Sequence, residues 1–269
     1  MAFLGHSFVF DGVPCENFEL MLYDVGGESG GGEIASTVSI VEEQLSSRWK
    51  PLFYGTKFEN KLEFNIVFGP NMARLDKRMS FDRYEIEAIA SWLTGHDGYR
   101  WLEIEQGDLE YVRYKCIVSS LQIVEYGRYP WAMQAHIICD SPYAYQYPQE
   151  FTYELYNSRR VVTFYNESSH NGFYMPRIEY TPRQSSMTTT LNITNQTDGG
   201  RALTLRIPAF TSFVSIDNDK CVITGEGCDN FYPYFNNVFL RLKRGYNVLS
   251  LFGAGTLKII CEFPVNVGG

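Results

Sequence analysis

The segment Cys139-Asp140-Ser141-Pro142-Tyr143-Ala144-Tyr145 closes one β-rich half of the chain and opens a second of different composition, which predicts two separate cores. Residues 1–148 carry 12 Lys and Arg against 21 Asp and Glu, a net of −9, whereas residues 149–269 carry 11 against 10, a net of +1. All four tryptophans, Trp49, Trp92, Trp101 and Trp131, lie in the first half. A chain of 269 residues accommodates two domains of roughly 100–150 residues each, placed at 1–148 and 149–269. Phe and Tyr richness within 16% aromatic content favours strands over helices.

Neither a basic n-region nor a continuous apolar h-region is present in Met1-Ala2-Phe3-Leu4-Gly5-His6-Ser7, so a signal peptide is not expected. No apolar run approaches the ~20 residues that span a bilayer, and folding in a cytoplasm is expected. The six cysteines, at 15, 116, 139, 221, 228 and 261, have no CxxC or zinc-like spacing, and no metal or cofactor is expected. Cys116, Cys139 and Cys261 fall inside alternating patterns as small buried hydrophobes. Cys221 and Cys228 flank the turn-like Gly225-Glu226-Gly227, a placement that allows proximity, as reduced thiols.

In the first half, Ser7-Phe8-Val9-Phe10 runs into Asp11-Gly12, a strand followed by a hairpin turn signal. The stretch Gly26 to Gly32 has the superficial look of a phosphate loop, but Glu33 to Ile40 after it reads as strand, so no helix N-terminus meets a phosphate. It reads as a loop or hairpin tip, or as an arm that orders against a neighbouring subunit. Leu62, Phe64, Ile66 and Phe68, alternating with Glu63, Asn65 and Val67, mark a strand with one face in a core. One helix is predicted with Ser80 as N-cap, Asp82 in its first turn, Ile86, Ile89, Ala90 and Leu93 on one face, and Gly95 as the stop. Strands follow at Tyr99–Glu105, Tyr111–Val124 with an internal irregularity, and Trp131–Cys139. In the second half, strands at Val161–Tyr165, Arg177–Tyr180, Thr190–Thr194 and Ala202–Ile207, separated by polar turns, predict an antiparallel sandwich or jelly roll.

The order of these features resembles the distal tail protein family of long-tailed bacteriophages, over essentially the whole chain. The resemblance rests on Ser7-Phe8-Val9-Phe10-Asp11-Gly12, on Trp92-Leu93, and on Ile137-Ile138-Cys139-Asp140-Ser141-Pro142-Tyr143-Ala144. It continues with Asn166 to Gly172, Pro176-Arg177-Ile178, Ile193 to Gly199, Ile216-Asp217, then Leu242, Gly245 and Asn247, and closes on Cys261-Glu262-Phe263-Pro264. It implies a structural virion protein of the tail, assembled in the host cytoplasm and catalysing no reaction. The first domain would form a homo-hexameric ring at the tail's distal end, and a galectin-like or jelly-roll second domain would decorate it. Its implied partners are the tail tube protein, a tail-associated hub protein, receptor-binding proteins, and DNA only in transit. Enlarged relatives carry an inserted carbohydrate-binding module, for which this chain is too short.

A DNA-conducting bore gains from carboxylates, because duplex DNA carries one negative charge per roughly 1.7 Å of axis. Glu28, Glu33, Glu42, Glu43, Glu59 and Glu63 are the candidate lumen residues. The other reading of the net −9 is an ordinary solubilising surface. A closed ring also requires two complementary faces on each copy.

The pairs Glu103/Glu105 and Asp217/Asp219 share strand faces and have the spacing of glycosidase acids, but an acidic pair on one strand is also what a solvated sheet face presents. His6, His96, His136 and His170 have no metal spacing, and no GxSxG element supplies a nucleophile. An alternative function for the second half is lectin-like binding of host cell-wall glycans, with Phe231, Tyr232, Tyr234 and Phe235 as the aromatic contact patch. Its lack of tryptophan favours core or subunit contacts for these rings.

Overall fold

A computed structural model describes residues 5–25, 38–58, 61–71, 80–106, 111–184 and 186–267. The chain divides into two compact units, Met1–Tyr145 with Asn266–Gly269, and Gln146–Val265. The architecture is mostly β with one α-helix among the described residues, as the sequence predicts.

The first unit contains β1 (Gly5–Phe10), β2 (Val13–Pro14), β3 (Leu20–Val25), β4 (Val38–Glu43), β5 (Leu52–Phe58), β6 (Glu63–Pro70), α1 (Arg83–Thr94), β7 (Arg100–Gln106), β8 (Val112–Tyr126), β9 (Tyr129–Cys139) and β10 (Ala144–Gln146). The main path of its sheet runs in the order β2-β1-β7-β8-β9-β6-β3, with β10 pairing β8 off that path. The predicted turn at Asp11-Gly12 is a two-residue hairpin in which both residues take positive φ, +50° and +76°. Alternation puts Phe8, Phe10, Leu102, Ile104, Val112, Tyr114, Ile66 and Phe68 in the core. The irregularity expected in the long strand is a register shift between Val118 and Ser120.

Ile89 and Leu93 of α1 are buried, as their spacing predicts. Its cap differs from expectation: Asp82, not Ser80, is the N-cap. Asp82 accepts from the Glu85 N–H at 2.8 Å while Glu85 accepts from the Asp82 N–H at 2.8 Å. This reciprocal box satisfies two orphan N–H groups, which a lone serine two residues earlier does not. Gly95 ends the helix at φ −80°, outside the left-handed region, and its N–H bonds the Ser91 carbonyl at 3.0 Å. Trp92 anchors the helix by stacking on Phe18 (4.6 Å) and Phe8 (5.7 Å) and donating to the Phe10 carbonyl.

The second unit is a sandwich of two antiparallel sheets. It contains β11 (Gln149–Tyr156), β12 (Arg160–Asn166), β13 (Arg177–Pro182), β14 (Thr189–Asn195), β15 (Arg201–Ile207), β16 (Phe213–Asp217), β17 (Val222–Glu226), β18 (Gly245–Phe252) and β19 (Ala254–Cys261), with β20 (Pro264–Val265) closing the chain. One sheet runs β11-β19-β13-β16-β17 and the other β12-β18-β14-β15. Their inner faces share one core, with Ile178, Tyr180, Leu257 and Ile259 from the first and Phe164, Leu191, Ile193, Leu203 and Leu249 from the second.

Candidate assembly surfaces

Strands β4 and β5 pair with each other and, among the described residues, with no third strand. This ribbon leaves Ile40, Val41, Phe53 and Tyr54 exposed, and Trp49 in the connecting turn is 93% exposed. A two-stranded ribbon is marginal in water on its own, and large aromatics outside a core are characteristic of binding surfaces. Periodicity could not single it out, because exposed and buried apolar alternation read alike in one chain.

The candidate lumen acids separate. Glu42 and Glu43 lie on the ribbon, where Glu43 accepts from the Tyr54 hydroxyl at 3.0 Å. Glu63 lies on the face of β6 opposite the core, 3.7 Å from Nε2 of His136, whose Nδ1 meets Asn65 Oδ1 at 2.9 Å. Glu28, Glu33 and Glu59, like the glycine-rich stretch Gly26 to Gly32, fall outside the described residues.

The aromatic patch also divides. Phe231 and Phe235 are buried in the sandwich core, and only Tyr232 and Tyr234 are exposed, at 43% each. Tyr232 donates its hydroxyl to the Cys221 carbonyl at 2.9 Å. The two chains of acid pairs have structural employment: Glu105 accepts from Ser7 at 2.6 Å, and Asp217 accepts from the Lys220 N–H at 3.0 Å in the β16–β17 turn. Among the described residues no group of three His, Cys, Asp or Glu side chains could hold a metal ion. No helix among them is long and apolar enough to cross a membrane.

Buried asparagines account for much of the motif order in the second half. Asn247 accepts from Asn195 (3.2 Å) and from the Lys243 N–H (3.0 Å), and donates to the carbonyls of Lys243 (2.7 Å) and Gly245 (3.0 Å). Asn166 donates to the Lys243 carbonyl at 3.1 Å, and Asn195 to the Arg241 carbonyl at 2.8 Å. Asn218 accepts from the Leu240 N–H at 2.8 Å. All four are buried. They supply hydrogen bonds to residues 240–245, an irregular segment in which Leu240 and Leu242 are buried and only Leu242 has an isolated backbone bridge of its own, to Tyr174. These residue types at this spacing are therefore scaffold.

Cys116 and Cys139 are register partners in β8 and β9, fully buried with free thiols. The Asp140 N–H bonds the Lys115 carbonyl at 2.8 Å, which identifies the cysteines as a non-hydrogen-bonded pair, the closest cross-strand arrangement. Burial pushes the Cys116 thiol up to about 12 and the Cys139 thiol further. Both are poor nucleophiles in this environment. Cys221 and Cys228 lie beyond opposite ends of β17, a strand about 16 Å long, so the proximity their spacing allows is not realised.

Two family models match the chain, a phage tail protein N-terminal domain over residues 3–141 and a phage tail C-terminal domain over residues 143–261. The chain belongs to this phage tail protein family. No curated protein matches it in sequence. Among solved structures, the phage tail protein is similar to the Dit protein (gp 19.1) of phage SPP1, with a TM-score of 0.64 at 11% identity, covering 96% of this chain and 98% of that one. That protein is described as a paradigm of the hub adsorption apparatus in phages infecting Gram-positive bacteria. Chains of the phage P2 baseplate in its activated conformation also match. The form with Ca gives 0.59 at 8% identity over 98% of this chain and 99% of that, and the form with Sr gives 0.56 at 9% over 96% and 97%. The phage tail protein thus has the fold of a distal tail protein, as its motif order implies.

Proposed function

We propose that this phage tail protein is the distal hub of a long-tailed phage, closing into a hexameric ring between the tail tube protein and a tail-associated hub protein. Family membership and the Dit-like fold support the hub assignment. The observation that carries ring closure is the β4–β5 ribbon, whose Ile40, Val41, Trp49, Phe53 and Tyr54 are left exposed by the described residues and would be covered by a neighbouring copy. A ring contact is head-to-tail, so the ribbon of each copy would lie against a different face of the next. DNA would pass through the bore, with some of Glu28, Glu33, Glu42, Glu43, Glu59 and Glu63 among the lining carboxylates. Assembly in the host cytoplasm and receptor-binding proteins hung from the second unit complete the proposal, and no reaction belongs to it.

Light scattering and negative-stain imaging test it. Wild type, alone or with its hub partner, should give six-fold rings, and Trp49→Ser with Phe53→Ser should give a folded chain that does not close. Rings that persist in the double variant would remove the ribbon from the contact, and a monomer under every condition would remove the ring. A structure of the ring with a neutral or basic bore would refute the acidic lining.

One observation favours a second reading, glycan binding by the sandwich unit. A groove of about 460 Å³ is lined by Asn157, Arg183, Gln184, Thr189 and Phe252, and the Arg183 guanidinium lies 4.3 Å from the Tyr156 ring centroid. Binding on a glycan array that disappears with Arg183→Ala would establish it.

A further inference from the structure

Strand β12 is an edge strand with none of the devices that keep edges from pairing. It bonds to β18 on one side, and among the described residues no strand lies on the other. Its seven residues, Arg-Val-Val-Thr-Phe-Tyr-Asn, contain no proline, glycine or bulge, and no charge between its ends. The opposite edge of the same sheet is covered. There Phe235 bridges Leu205, and Asn236 donates to the Ala202 carbonyl (2.8 Å) and accepts from the Thr204 N–H (3.1 Å).

The open side can be assigned residue by residue. Val248 is the register partner of Thr163, and its N–H turns away from β12 to the Thr197 hydroxyl at 2.9 Å. Thr163 and Val248 are therefore a non-hydrogen-bonded pair. By alternation Val162 and Phe164 bond to β18, and Val161, Thr163 and Tyr165 aim their N–H and C=O groups outward. Val161 and Tyr165 are also exposed, and Tyr165 packs on exposed Tyr246 with ring centroids 4.8 Å apart.

We propose that β12 pairs antiparallel with β12 of a second copy of this chain, centred on Thr163. The strand is self-complementary in that register. Val161 meets the partner's Tyr165, a favourable β-branched and aromatic pair, and Thr163 meets the partner's Thr163. Extending that register by one residue beyond each strand end sets Arg159, whose Nε donates to the Ser250 hydroxyl at 2.6 Å, against the partner's Glu167, so opposite rather than like charges meet there. Three outward residues on each copy form roughly six backbone hydrogen bonds, joining two four-stranded sheets into one of eight. The contact is two-fold and isologous, and so differs in kind from a head-to-tail ring contact; it joins chains, or rings of chains, in pairs.

The test is the mass of the full chain by analytical ultracentrifugation. Wild type should show twice the subunit number of Thr163→Pro at equal concentration. That proline removes only an outward N–H and leaves the β12–β18 ladder intact, so its melting curve should match wild type. Should Thr163→Pro fail to fold, Thr163→Lys sets two lysines against each other across the axis and should halve the mass in its place. Thr163→Cys should form a disulfide-linked dimer on a non-reducing gel, the two Cα atoms lying about 5.5 Å apart. Val161→Cys should not, since the offset of four residues separates its copies by about 13 Å. A mass unchanged in the folded Thr163 variants, or cross-linking as strong at 161 as at 163, overturns the proposal. Ribbon variants that abolish rings while leaving the two-fold pairing would separate this contact from ring closure.

Discussion

The four buried asparagines show how much a single side chain can settle in a sandwich of this kind. Asn247→Ala removes four hydrogen bonds of one buried side chain, two accepted and two donated, and should destabilise the second unit by roughly 1–3 kcal/mol in urea unfolding. Asp198 acts on the same segment from outside it. Its carboxylate accepts from Arg241 at 2.7 and 3.2 Å, and this bidentate bond holds its pKa below the ordinary carboxylate value. A depressed folded-state pKa adds stability that is present above the unfolded value, about 3.9, and is lost as pH falls through the folded one. Between pH 6 and pH 3 wild type should therefore lose more stability than Asp198→Asn, measured by thermal melts across that range. Cysteine chemistry separates by the same logic of environment. Iodoacetamide at pH 8 should label Cys221 and Cys228 in the native protein and spare Cys15, Cys116, Cys139 and Cys261, which mass spectrometry would read directly.

At the scale of elements, helix α1 was legible because Ile86, Ile89, Ala90 and Leu93 repeat at its period, while its start was not. Ser80 and Asp82 are both good cap residues, and the choice between them is made by Glu85, which completes a reciprocal box only with Asp82. Asp82→Ala should cost about 1 kcal/mol in tryptophan-monitored unfolding, with Ser80→Ala near neutral. Strands followed a similar rule. Those of the sandwich could be read from alternation and turn residues, since each has one face in a shared core. The β4–β5 ribbon could not, because among the described residues its Ile40, Val41, Phe53 and Tyr54 are exposed and enter no core. The acidic positions on it carry the same ambiguity: Glu42 and Glu43 look like Glu63 in sequence, acids beside strand-like runs, but belong to a different sheet.

For the molecule as a whole, the second unit carries its own core, built from buried apolar residues of both sheets and of the segments between strands. A fragment spanning Gln146–Val265 should fold alone and unfold in one cooperative transition, seen as coincident near- and far-UV dichroism. The sequence by itself determined the class of structure: two β-rich halves, one helix, and a motif order shared with distal tail proteins. These follow from periodicity, turn chemistry and composition, all of which act between near neighbours in the chain. Only the tertiary structure decided that the motif asparagines brace the irregular segment 240–245, that Phe231 and Phe235 are core while Tyr232 and Tyr234 are surface, and that β12 offers an open edge. Each of those depends on which groups from distant parts of the chain come within hydrogen-bonding or van der Waals reach, and strand pairing alone decides that.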